Sequence, residues 1–144
     1  SAKDQSPLKQ EFEIAAIYQR IEKLRLGDRL NVRWDVNDLP MRARIPLLTI
    51  PRLVEIAIDH GSDLVPHGGD VVVCGRRDGD SLEITVTNPI AAGRERDKIG
   101  NKMAMANIRQ RFDLAYGNRG SVTVDDSDDR YAVTLRFPID EQPA

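Results

Sequence analysis

The sequence predicts an α+β sandwich, a mostly antiparallel mixed sheet with helices on one face. Three observations carry this. Three segments repeat apolar residues at spacings of three and four, as helices that bury one face do. Between and after them lie runs in which apolar and polar residues alternate, as in half-buried strands. The order is helix, strand, helix, two strands, a long charged loop, helix, two strands, with a hairpin signal at Asp78-Gly79-Asp80. A chain of 144 residues fits one domain, here 1–144, long enough to bury roughly 68–70% of its unfolded surface without staples.

The first helix is expected over 1–27, with Ser6 as N-cap, Pro7 at the first helical position and Gly27 as the stop. It carries two apolar stripes. Ile14, Ile17, Ile21 and Leu24 form one, expected in the core. Leu8, Phe12 and Ala15 form an offset one, expected either to widen the buried face or to stay partly exposed for a neighbouring helical module. Leu30, Val32 and Trp34 then alternate with Asn31, Arg33 and Asp35 as a strand, and Pro46 is expected to open the central helix.

That central helix has a chemical face. At about 100° per residue, Leu47, Ile50, Val54, Ala57 and Ile58 share an apolar sector, while Arg52, Glu55 and Asp59 gather opposite. Ile56 projects beside Glu55 and is expected to find no core to enter. His60 suits the negative end of the helix dipole and Gly61 ends the helix. Val71 to Cys74 reads as a buried strand with an inert thiol at Cys74, and Leu82, Ile84 and Val86 mark the returning strand, which ends at Asn88-Pro89. Residues 90–104 read as a charged lid loop. Met105, Ile108, Phe112 and Ala115 then stripe a helix that stops at Gly117, ahead of strands around Val122 to Val124 and Tyr131 to Phe137.

A net charge of −2 with mixed signs lacks the basic footprint of a nucleic-acid binder, so no nucleic-acid partner is expected. A single cysteine rules out an intrachain disulfide framework. No run approaches the ~20 apolar residues of a membrane span. Two histidines and one cysteine, scattered along the chain, make no zinc-ligand set or catalytic triad, so no metal ligands are assigned.

Four segments carry a resemblance. Tyr18 to Leu30 resembles the helix that opens the ATP-binding domain of LytS-type sensor histidine kinases, particularly the AlgZ-like branch. Leu53-Val54-Glu55-Ile56-Ala57-Ile58-Asp59-His60-Gly61 is similar to that family's nucleotide helix, and Asn107 to Gly117 resembles the helix after its glycine-rich lid, with Arg136-Phe137-Pro138 as the closing strand. The resemblance implies the Bergerat fold, a two-layer α/β sandwich of the GHKL (HATPase_c) class.

It also implies ATP as the bound nucleotide, with magnesium, and phosphorylation of a histidine on an upstream helix. Glu55 would polarise the phosphoacceptor. Ile56, Asp59, His60, Asn88, Lys98, Gly100, Asn101, Lys102, Met103 and Asn107 would line the nucleotide site. Against the family pattern, Ile56 stands where an asparagine would hold magnesium, Asn88 replaces the acid that reads adenine, and Lys102 and Ala104 stand where lid glycines would be. The implied partners are ATP or ADP, the upstream phosphoacceptor and dimerisation helices, expected to precede Ser1, and a response regulator. The resemblance implies a cytoplasmic domain of a membrane-anchored parent, and the isolated domain is expected to be a monomer. The alternative is a degenerate, non-catalytic kinase-like domain acting through protein contacts, with weak or magnesium-independent nucleotide binding. An anti-sigma serine kinase of the same superfamily is a third reading, which the tyrosine-bearing opening helix disfavours.

Overall fold

The computed structural model describes residues 4–61, 69–90, 98–127 and 129–140, and the side chains of all of these except 60, 61, 69 and 98–101. In chain order its elements are β1 (Gln5–Pro7), α1 (Leu8–Leu26), β2 (Leu30–Asp35), β3 (Arg44–Pro46), α2 (Thr49–Gly61), β4 (Gly69–Asp78), β5 (Ser81–Pro89), α3 (Lys98–Tyr116), β6 (Ser121–Asp126) and β7 (Arg130–Pro138). Five strands form one sheet in the order β2-β4-β5-β7-β6, while β1 and β3 pair apart from it. The β2–β4 pair is parallel and the others in the sheet are antiparallel. The expected α+β sandwich with a mixed sheet is therefore present.

Register explains how the sheet faces its helices. Along β5, Leu82, Ile84, Val86 and Asn88 are buried, and they align across β7 with Phe137, Leu135, Val133 and Tyr131, which are buried too. With a period of two, one face of each strand enters the core. The other face is polar: Arg76 reaches Glu83 at 3.2 Å and Arg136 reaches Asp78 at 2.9 Å, while the Thr85 and Thr134 hydroxyls meet at 3.1 Å. α1 packs against α2 and β2, α2 against β4 and β5, and α3 against β6, so the helices form one layer. The tight β4–β5 turn uses Gly79 at φ 61, a left-handed conformation that glycine adopts without a Cβ clash.

Several expectations are corrected. Ser6 lies in β1 and does not cap α1; its hydroxyl donates instead to Glu11 at 2.6 Å, and Pro7 occupies the cap position. Pro46 ends β3, and α2 begins at Thr49. The two stripes of α1 are exchanged: Leu8 and Ala15 are fully buried, whereas Ile17, Ile21 and Leu24 are 48%, 59% and 89% exposed. Phe12 is half-buried, edge-on to Trp34. Cys74 is exposed, because the period that buries Val71 and Val73 turns it outward. Of the expected 90–104 lid, residues 98–104 already belong to α3, and 91–97 lie outside the described residues.

One turn is strained. Leu48, just before α2, has φ 64, a conformation costing a non-glycine residue about 1–3 kcal/mol unless its surroundings hold it. Those surroundings are specific. Glu11 of α1 is fully buried and accepts the backbone N–H of Leu48 at 2.8 Å and of Ile50 at 3.1 Å. The Thr49 hydroxyl donates to the Pro46 carbonyl at 2.6 Å.

Candidate functional site

A groove of about 780 Å³ opens on the outer side of the helix layer. α1 contributes Ile14 and Tyr18, the start of α2 contributes Leu48, Pro51, Arg52 and Glu55, and α3 contributes Met103, Asn107 and Arg111. Glu55 is here because α2 buries Ile50, Leu53, Val54, Ala57 and Ile58 against the rest of the core, which turns positions 52, 55 and 59 outward. Its carboxylate lies 3.4 Å from the Arg52 guanidinium. Tyr18 stands close enough to feel this charge. Burial, followed by the carboxylates of Asp59, Glu22 and Glu55, pushes its hydroxyl well above the usual tyrosine range, so it is neutral at physiological pH.

Asn88 sits on the same side of the sheet, at the end of β5, and is fully buried. Its Nδ2 donates to the Pro89 carbonyl at 3.1 Å, but its Oδ1 has no hydrogen-bond partner among the described residues. A buried amide oxygen without a donor costs about 1–3 kcal/mol, and such groups in native folds call for an explanation such as a ligand or a water.

The structure brings together Glu55, Met103 and Asn107 in the groove. Asp59 is exposed on the same face of α2. Lys102 lies elsewhere, lining a hollow between α3 and the β6–β7 edge with Met105, Arg109, Asp126 and Tyr131. Asn88 does not line the groove. His60 and Lys98, Gly100 and Asn101 belong to α2 and α3, and their side chains lie outside the described residues. Ile56 is the main correction: it is 8% exposed and packs in the hydrophobic core, so it does find a core to enter. The described residues fit a nucleotide base better than a metal ion. Asn88 offers an unused acceptor, whereas Ile56 offers no oxygen and no group of three metal-ligating side chains occurs among the described residues.

Sequence reasoning missed Glu11. Its signal was available in part, since it falls on the face of α1 occupied by Leu8 and Ala15, where a carboxylate needs a reason.

No protein-family profile matches the chain. It is 29% identical over 140 residues to the sensor histidine kinase BtsS of Escherichia coli K12, in an alignment covering 91% of this chain and 23% of BtsS. The chain thus spans about a quarter of that relative's length. Among solved structures, the catalytic domain of histidine kinase ThkA superposes with a TM-score of 0.67 at 10% identity, covering 93% of each chain. ThkA has also been solved in complex with the response regulator protein TrrA (TM-score 0.61, 8% identity, 93% of this chain and 41% of that one). Full-length ShkA in complex with AMPPNP matches with a TM-score of 0.64 at 15% identity over 97% of this chain and 32% of ShkA. In sequence over 91% of its length the chain is similar to a sensor histidine kinase, and in fold it matches the catalytic domain of a histidine kinase.

Proposed function

We propose that the chain binds ATP and transfers its γ-phosphoryl group to a histidine on an upstream helix, as the catalytic part of a LytS-type kinase of the AlgZ-like branch, with a response-regulator aspartate as the later acceptor. The observation that carries this is the buried, unpartnered Oδ1 of Asn88. It is an acceptor suited to the exocyclic amino group of adenine, and its Nδ2 is already engaged.

Placement supports the remaining roles. α3 begins at Lys98, and the unpaired N–H groups of a helix start suit phosphate oxygens. Glu55 lies on the wall of the groove, where its carboxylate accepts the N–H of an entering imidazole and leaves the opposite nitrogen free to attack. Tyr18, held neutral, and Asn107 border the same groove. The exposed Ile17, Ile21 and Leu24 of α1 offer the apolar face on which the upstream helices pack. No step is assigned to magnesium, because Ile56 supplies no ligand.

Titration with AMPPNP of the wild type and Asn88→Leu tests the reading. The variant removes the orphaned oxygen together with the Nδ2–Pro89 bond, so it is expected to lose roughly 10- to 100-fold in affinity, the loss of one buried hydrogen bond to the base, while changing stability by less than about 1 kcal/mol, since relief of the orphaned oxygen offsets the lost bond. Unchanged affinity rejects the assignment. Binding in the wild type without any phosphoryl transfer in the full-length protein points to the degenerate reading.

A further inference from the structure

We infer that Glu11 is a positioning residue: its buried carboxylate fixes the turn from Leu47 to Ile50, and with it the part of the groove in which Glu55 stands. This rests on reading that groove as the phosphoryl-transfer site.

The geometry is that of a carboxylate bound by a helix start. Oε2 accepts the Ser6 hydroxyl at 2.6 Å and the Leu48 N–H at 2.8 Å, and Oε1 accepts the Ile50 N–H at 3.1 Å. The Ile50 N–H belongs to the first turn of α2, where no intrahelical acceptor exists, and the positive end of the helix dipole favours a negative group there. Glu11 is fully buried and makes no ion pair among the described residues. Its charge is therefore directed at this turn.

The turn is part of the groove. Leu48, whose N–H Glu11 holds, keeps φ 64, is 45% exposed and lines the groove with Pro51, Arg52 and Glu55. Glu55 follows Leu48 by two helical turns, and a helix transmits a shift of its start along its axis. Asn88 is placed by β5 and its register with β7, independently of Glu11. Loss of the carboxylate should therefore impair transfer and leave nucleotide binding intact. Charge matters as well as shape, because glutamine presents one oxygen and one NH₂, so either Leu48 or Ile50 then faces a donor.

The test compares the 144-residue wild type with Glu11→Gln and with Glu11→Gln/Leu48→Gly. Three readouts serve: amide hydrogen exchange at residues 48–52, AMPPNP affinity, and ATP hydrolysis with water as acceptor, beside one melt each. Glu11→Gln is expected to raise exchange at 48–50 at least tenfold and to lower turnover about tenfold, with AMPPNP affinity within twofold of wild type. Adding Leu48→Gly should restore turnover to within about threefold of wild type, because glycine adopts the left-handed turn without the anchor, while the N–H that faces the glutamine NH₂ stays unprotected. Exchange and turnover unchanged in Glu11→Gln, or a lower melting temperature alone, overturns the inference; so does a parallel loss of turnover and affinity. If Glu11→Gln melts too low to assay, Ser6→Ala, which removes one of the three donors, should raise exchange at Leu48 severalfold, and unchanged exchange there also overturns it. A wild type that neither binds AMPPNP nor hydrolyses ATP defeats the phosphoryl-transfer reading instead, and exchange still judges the anchoring role.

Discussion

Glu11 and Asn88 are both fully buried polar side chains, and they are treated in opposite ways. Glu11 receives three donors at 2.6–3.1 Å, while the Asn88 oxygen receives none among the described residues. Burial of a polar atom by itself does not separate architecture from function; the state of its hydrogen bonds does. The saturated carboxylate joins α1 to the start of α2 and acts through the turn it holds. The unsaturated amide lies at a strand end beneath the helix layer, and under the proposed function it is the acceptor for the incoming base.

Three substitutions test this contrast, in descending order of effect. Glu11→Ala strands three donors, two of them buried, and should cost about 3–5 kcal/mol, a drop of about 10 °C or more in melting temperature for a domain of this size. A loss below about 1 kcal/mol would erase the distinction. Ile56→Asn places a new amide among core side chains, and with Ile56 only 8% exposed a loss of about 1–3 kcal/mol is expected. A melt alongside an ATP titration with and without magnesium checks it, and stronger magnesium-dependent binding would place position 56 in the nucleotide site after all. Tyr116→Phe should change stability by less than about 1 kcal/mol, or raise it. The Tyr116 hydroxyl is also buried without a partner among the described residues, but its ring is enclosed by Phe112 and Phe137 at 5.1 and 5.7 Å. An unaltered AMPPNP affinity in this variant would show that an orphaned polar atom marks a site only where a ligand can reach it.

Most of the sheet was legible because its determinants are local. Alternation over Leu82 to Val86 and the turn at Gly79 need no partner to be recognised, and the α3 stripe from Met105 to Phe112 is buried as its spacing predicts. The faces of α1 were not legible. Both of its stripes are apolar, and the choice between them is made by α2, against which α1 packs, leaving Ala15 no exposed surface. The start of α3 was missed because residues 98–104 carry Gly100, Asn101 and two lysines around a single apolar pair, Ile99 and Met103, too short a pattern to distinguish a helix from a loop. Glu11 was hidden for a related reason: the backbone groups it binds lie 37 and 39 positions away. At the site, Glu55 and Asn107 were legible through resemblance and do share a groove, whereas the burial of Ile56 depended on packing that a helical wheel does not contain.

The parallel pairing of β2 with β4 has a kinetic meaning. It joins Leu30 to Gly69, 39 positions apart, while the neighbouring β4–β5 hairpin closes through a two-residue turn. Local pairings assemble early, and those that close long stretches of chain come late and limit the rate. β2 is therefore expected to join the sheet after the β4–β5 hairpin has formed. Trp34 lies in β2 against Phe12 of α1 and is the single tryptophan of the chain, so its fluorescence reports that closing step of refolding rather than the first collapse.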